Sequence, residues 1–182
     1  MRILGIPGSL RKASLNRAAL RAAQELVPAG VTLEIADLDG IPPYSEDIER
    51  PLPAPVAALK ATIRESDAIL IATPEYNYSV PGVLKNAIDW ASRPYGDSAW
   101  AGKPVALMGA SPGMMGTARA QYHLRQTLLS LDMHPLNHPE VMLARAGQRF
   151  DEHGRLVDEA SRALIARLLE ALVAWTRRLG TP

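Results

Sequence analysis

Cysteine is absent from this chain of 182 residues. That excludes disulfides, thiolate metal centres and a cysteine nucleophile, so any redox chemistry must be carried by a bound cofactor. Aromatic residues make up only 5% of the chain, which makes two tyrosines in one short turn conspicuous. Charge of neither sign dominates, since 20 Lys+Arg against 19 Asp+Glu leave a net charge of +1. With no basic stripe either, nucleic acid and acidic membrane surfaces are not expected partners. No apolar run is long enough to cross a bilayer. Met1 leads straight into a first strand without a leader pattern, and the expected location is the cytoplasm.

What is present is an alternation of short apolar runs and amphipathic stretches. Strands are expected over residues 2–6, 31–36, 68–73 and 104–109, with a short fifth within 134–139 or 140–143. Helices are expected over 15–26, over 56–65, from Pro81 or Gly82 to about Ser92, from about Gly116 to Leu131, and over 156–179. Residues 37–55, rich in proline and acids, read as a solvated connection. Strands alternating with helices predict parallel βαβ units wound right-handed. Five of each in this length match a flavodoxin-like α/β three-layer sandwich, a five-stranded parallel sheet in the order 2-1-3-4-5. No repeat or linker interrupts the chain, so residues 1–182 are expected to form one domain.

Two loops carry the chemistry. The first, Gly5-Ile-Pro-Gly-Ser-Leu-Arg-Lys-Ala-Ser-Leu-Asn16, joins the first strand to the first helix. Ser9, Ser14 and Asn16 offer hydrogen bonds, Arg11 a charged fork, and the helix its free N–H groups, which together suit one terminal phosphate. Ser14 or Asn16 can also simply cap the helix. Neither a Walker loop nor the dinucleotide fingerprint is present.

The second loop, Pro74-Glu-Tyr-Asn-Tyr-Ser-Val-Pro-Gly82, follows the third strand. Pro74 ends the strand's pairing, and Glu75, Tyr76 and Asn77 present backbone groups able to pair with the edge of a planar, uracil-like ring. In the helix that follows, Leu84, Ala87, Ile88 and Ala91 form the buried stripe and Lys85 with Asp89 a surface pair. Trp90 is expected in the core or at a subunit interface, and Asn86 is expected to hydrogen-bond the loop.

Other features attract weaker readings. His134 and His138 are four apart, but Pro135 and Pro139 keep them off one helical face, and no metal site is expected. The serines lack a nucleophile elbow, and the acids of a phosphoacceptor domain are missing. Arg119, Tyr122 and Arg125 share one side of the fourth helix, either as a solvated face or as an intersubunit network with Glu140.

Both loops, together with Leu84-Lys-Asn-Ala-Ile-Asp-Trp90, Ala101-Gly-Lys-Pro104 and Gln121-Tyr-His-Leu-Arg-Gln126, resemble the NADPH-dependent FMN reductase family, and within it the bacterial chromate and quinone reductases. The resemblance implies that Ser9, Arg11, Ser14, Leu15 and Asn16 hold the FMN phosphate. Pro74, Glu75, Tyr76, Asn77 and Tyr78 would hold the isoalloxazine. A third contact loop, residues 110–116, would contribute through Ser111, Gly113 and Gly116, while Met114 and Met115 pack. It further implies NADPH or NADH as reductant and ping-pong transfer to quinones, azo compounds, nitroaromatics, chromate or free flavin. No catalytic side chain is required, and a homodimer or homotetramer is expected. An electron carrier or flavin sensor without NAD(P)H turnover is the alternative; carriers are usually strongly acidic, and this chain is not.

Overall fold

Ile69-Leu70-Ile71 and Val105-Ala106-Leu107-Met108 are apolar without alternation, as central strands covered on both faces must be. In the computed structural model, which describes residues 1–180, they lie within β3 (Ala68–Ala72) and β4 (Pro104–Ala110), every residue of which is buried. The last two residues of the span 1–182 lie outside the described residues. β1 (Arg2–Pro7) pairs with β2 (Thr32–Ile35) on one side and with β3 on the other, all in parallel. Beyond β3 come β4 and then β5 (His134–Pro135), so the order is β2-β1-β3-β4-β5. The expected flavodoxin-like topology is the one found.

The edge of the sheet departs from expectation. Both candidate segments for a fifth strand pair with β4, β5 along its start and β6 (Val141–Leu143) along its end. The sheet thus has six strands. Pro135 and Pro139 lack the N–H that continuous pairing needs, and the chain leaves β4 and returns to it.

Helices cover both faces. α1 (Leu15–Leu26) and α5 (Glu159–Arg178) bury Leu20, Ile165, Leu169 and Leu172 against Ile3, Leu70, Ala106 and Met108. α2 (Ala54–Glu65), α3 (Gly82–Ala91) and α4 (Ala118–Ser130) pack Leu59, Ile63, Leu84, Ile88 and Leu124 against Leu4, Ile6, Ile69, Ile71 and Leu107. Alternate strand residues thereby serve opposite layers. Two helices start later than expected. Gly116 and Thr117 have positive φ, which delays α4, and Leu156 bridges to Phe150 while Asp158 caps α5 through Ser161.

Residues 37–55 are more than a solvated connection. The Pro42 carbonyl accepts from Trp90 Nε1 (2.7 Å) and Asn86 Nδ2 (2.9 Å), and Asn86 Oδ1 accepts from the Tyr44 N–H (2.8 Å). Asn86 therefore bonds this connection rather than the ring loop, and Trp90 is fully buried. The Tyr44 hydroxyl donates to Glu49 (2.6 Å), which also receives Arg93 Nε (2.7 Å). Lys60, on the same face of α2 as Val56, Leu59 and Ile63, is only 1% exposed, and its ammonium donates to the Arg93 carbonyl and to Asp97.

Candidate functional site

Three loops leave the carboxyl ends of β1, β3 and β4, the edge at which open α/β sheets bind ligands. In the first, the Gly8 N–H donates to the Ala72 carbonyl (2.8 Å), and a Cβ at Gly8 would come within 2.9 Å of Pro74 Cδ. Only a hydrogen there lets the first two loops touch. Ser9 is buried; its hydroxyl oxygen accepts from the Arg11 N–H (3.2 Å) and lies 3.3 Å from the Tyr76 hydroxyl. Ser14 caps α1, its oxygen accepting from the Arg17 N–H at 3.3 Å. Helix geometry leaves the N–H groups of Leu15 and Asn16 without intrahelical acceptors. Capping and anion binding thus coexist, because the Ser14 proton remains free to donate.

Asn16 has a role that its sequence position does not disclose. Its side-chain amide donates to the Ala110 carbonyl (3.0 Å) and accepts from the Ala110 N–H (2.8 Å), both within the core. The pairing of β3 with β4 ends at Ala72 and Met108, and the Thr73 N–H makes the last donation across it, to the Met108 carbonyl (3.0 Å). The Asn16 amide supplies the peptide-like partner that Ala110 lacks on the β3 side, β6 lying along the other.

The second loop closes as a two-residue hairpin in which Tyr76 and Ser79 exchange N–H···O bonds of 3.1 and 2.9 Å. Asn77 and Tyr78 at its centre have φ of 50° and 67°, the left-handed pair that a type I′ turn demands. Asparagine tolerates this conformation; a tyrosine there carries about 1–3 kcal/mol of strain. The Arg119 guanidinium lies 3.6 Å above the Tyr78 ring and offsets part of that strain. Glu75, its side chain 7% exposed, turns its carboxylate onto the start of α4. There it accepts from the N–H groups of Arg119 (3.1 Å) and Ala120 (3.3 Å) and pairs with the Arg119 guanidinium. Thr117, at the cap position itself, makes no side-chain cap, so Glu75 caps α4 from another loop. Its hydrogen bond also raises the Arg119 pKa. Of the three backbone groups expected to face a ring, that of Tyr76 is consumed by the turn. The N–H groups of Glu75 and Asn77 remain unpaired among the described residues.

In the third loop the Ser111 oxygen accepts from the Gly113 N–H (3.1 Å), and the Gly113 carbonyl accepts from Arg145. Gly116 has φ of 55°, and a Cβ there would lie 2.7 Å from the Met142 carbonyl carbon; it is the place where the loop presses on β6. Met114 and Met115, expected to pack, are instead 76% and 50% exposed.

One cavity of about 300 Å³ collects Ser9, Arg11, Ser14, Leu15, Asn16, Pro74, Glu75, Tyr76 and Ser111, joined by Ala110 and Pro112. Asn77, Tyr78, Gly113 and Gly116 are not among its lining residues. Ala110 and Pro112 were not singled out from the sequence, although a residue closing a strand and a proline just after it were the available signals. Its lining combines hydroxyls, a guanidinium and free helix N–H groups with the flat faces of Pro74, Tyr76 and Pro112. That donor set fits a ring system bearing a single phosphate. The arginines of the α4 face are engaged within the chain, Arg119 with Glu75 and Arg125 with the Leu136 carbonyl (3.0 Å) and Asn137. Tyr122 is exposed.

Residues 1–148 match the family described as NADPH-dependent FMN reductase. The chain is 57% identical over 180 residues to an NAD(P)H-dependent FMN reductase of Pseudomonas aeruginosa, covering 98% of this chain and 97% of that one. It is 42% identical over 177 residues to a 2-hydroxy-1,4-benzoquinone reductase of a Burkholderia species, covering 97% of each. Among solved structures, the flavoenzyme NAD(P)H:(acceptor) oxidoreductase FerB of Paracoccus denitrificans superposes with a TM-score of 0.90 at 37% identity, covering 97% of both chains.

Proposed function

Because the chain belongs to the NADPH-dependent FMN reductase family, whose members are oxidoreductases working with FMN and NAD(P)H, we propose that it passes electrons from NAD(P)H to quinones by alternating use of one site. Azo compounds, nitroaromatics, chromate and free flavin are further acceptors that an open site of this kind admits. The observation that carries the reading is the convergence of three loops on one cavity lined by both phosphate donors and flat apolar faces.

Ser9, Arg11, Ser14 and the N–H groups of Leu15 and Asn16 would hold the FMN phosphate. Pro74, Glu75 and Tyr76 would flank the ring, with Ser111 across from them. Bound there, FMN supplies the chemistry of accepting a hydride equivalent from a nicotinamide and returning electrons to an acceptor. The chain contributes position and field. Asn16 holds the first and third loops together, Glu75 fixes the ring loop onto α4, and the unpaired N–H of Glu75 offers a fixed dipole towards negative charge on the ring. No side chain is needed as a general acid or base.

Residues 1–182 act as one FMN-binding domain in the cytoplasm; no described helix is long and apolar enough to cross a membrane. The protein works as a homodimer or homotetramer. Its support is the pair Tyr122 and Leu129 at seven-residue spacing on α4, exposed to 50% and 76%, with Met115, 50% exposed, in the loop just before the helix, which a second copy would cover. The test of the function is direct. The purified protein should show flavin absorbance or acquire it from added FMN, and NADPH should bleach it anaerobically until benzoquinone restores the colour. A protein that takes up no FMN refutes the reading. Light scattering on the wild type and on Leu129→Asp tests the assembly.

A further inference from the structure

A second cavity, of about 350 Å³, lies on the far side of the phosphate loop and shares Ser14 and Leu15 with the first. Its floor is Phe150 with Leu15 and Ala18, and it runs on into a smaller one of about 130 Å³ that shares Ala18, Arg21, His153 and Gly154. Two of the three acids around this groove already face an arginine. Asp151 is taken by Arg155 at 2.8 Å and Glu25 by Arg162 at 3.1 Å, while Glu152 points to solvent, 3.5 Å from a His153 ring that is an ionic partner only when protonated. Lys12 and Arg21 also line the groove, both exposed, and neither side chain makes a hydrogen bond or ion pair with any described residue. Two cations without partners, beside a cavity floored by one aromatic ring, suit a phosphorylated nucleoside.

Resting on the function proposed above, we infer that this groove receives the adenosine end of the reductant and that Arg21, with Lys12, binds its 2′-phosphate, so that NADPH is preferred to NADH. The two cavities meet at Ser14 and Leu15, so a dinucleotide with its nicotinamide over the first can lay its other end in the second. NADH lacks the phosphate and leaves both cations solvated. On the opposite side of the loop, Lys12 also borders a hollow with Arg17, Asp37 and Asp39. There Arg17 faces Asp37 at 3.8 Å, and the two acids would repel a phosphate.

The test uses the purified protein with FMN in excess, titrated calorimetrically with 2′,5′-ADP and, separately, with 5′-AMP. A charge-assisted hydrogen bond to phosphate is worth about tenfold or more in affinity. The expected result is that 2′,5′-ADP binds at least about tenfold tighter than 5′-AMP, and that Arg21→Ala removes this margin while leaving 5′-AMP unchanged. Arg21→Lys should keep part of it and Arg17→Ala all of it. In steady state, Arg21→Ala should lower kcat/KM for NADPH and not for NADH. The inference is overturned if 2′,5′-ADP binds no tighter than 5′-AMP, if Arg21→Ala leaves the margin intact, or if Arg17→Ala abolishes it. Calorimetry needs no turnover, so a missing flavin spectrum would refute the proposed function and a missing margin this site.

Discussion

Asn16→Ala removes two hydrogen bonds at once, those that its amide exchanges with the N–H and carbonyl of Ala110. Ala110 is 3% exposed, and the β3 ladder stops before it, its last donation being that of the Thr73 N–H to the Met108 carbonyl, so no β3 residue replaces the lost partner. Each bond contributes about 0.5–1.5 kcal/mol net, and a buried group left unpaired costs about 1–3 kcal/mol. Ala110 also lines the cavity, so water reaches part of the vacated space and moderates the loss. The expected destabilisation is about 2–3 kcal/mol, which with a slope of about 2 kcal/mol/M shifts the urea midpoint by roughly 1–1.5 M. The measurement belongs on FMN-free protein, since ligand would add its own stabilisation. Asn16→Asp sharpens the test: it keeps the acceptor for the Ala110 N–H but sets a carboxylate oxygen against the Ala110 carbonyl, and should be at least as destabilised as the alanine variant. FMN affinity should fall in both, because the amide ties the phosphate loop to the third loop. If Asn16→Ala unfolds within about 0.2 M of wild type, or Asn16→Asp matches wild type, Asn16 does not act as a strand partner and the account of the β4 terminus fails.

Glu75→Gln keeps one acceptor for the α4 N–H groups but loses the charge facing Arg119. Helix-end charge effects of about 1 kcal/mol predict a drop of about 2–4 °C in the FMN-free melting temperature, partly recovered in the double variant with Arg119→Gln; an unchanged melting temperature would show that α4 needs no cap from the ring loop. Lys60→Met should cost about 2 kcal/mol by equilibrium unfolding, since the Arg93 carbonyl loses a charged donor while Asp97 keeps only Arg64. The Glu49 carboxyl is held below its ordinary 4.5, first by the Tyr44 hydroxyl and then by Arg93. Its contribution to stability is therefore whole above that value and lost as pH falls through the lower folded one. Tyr44, desolvated and bonded to Glu49, is pushed up to about 12 from 10.0, so its contribution persists through neutral pH and is lost as alkali passes from the lower value to the higher. Urea midpoints followed across pH should fall more steeply at both extremes for wild type than for Glu49→Gln; parallel curves would contradict both assignments.

Local pattern was enough for the strand order and for most of the residues that line the candidate cavity. Apolar runs without alternation can be satisfied only between two helical layers, and the serines, Arg11 and Pro74 sit where βα connections must emerge. Hydrogen-bond partners distant in sequence were another matter. Asn16 reads as a cap or phosphate ligand until β4 ends beside it, 94 residues away, and Glu75 reads as a backbone contact until α4 presents its open N–H groups to the carboxylate. Lys60 lies on an apolar stripe in any helical projection, and only the turn at Arg93 and Asp97 makes its burial tolerable. The sheet edge, too, depended on packing, since two short segments could pair with β4 and both did. Periodicity and turn chemistry act within a few residues and are written in the sequence. Which polar group satisfies which depends on where separate loops meet, and only the folded chain decides that.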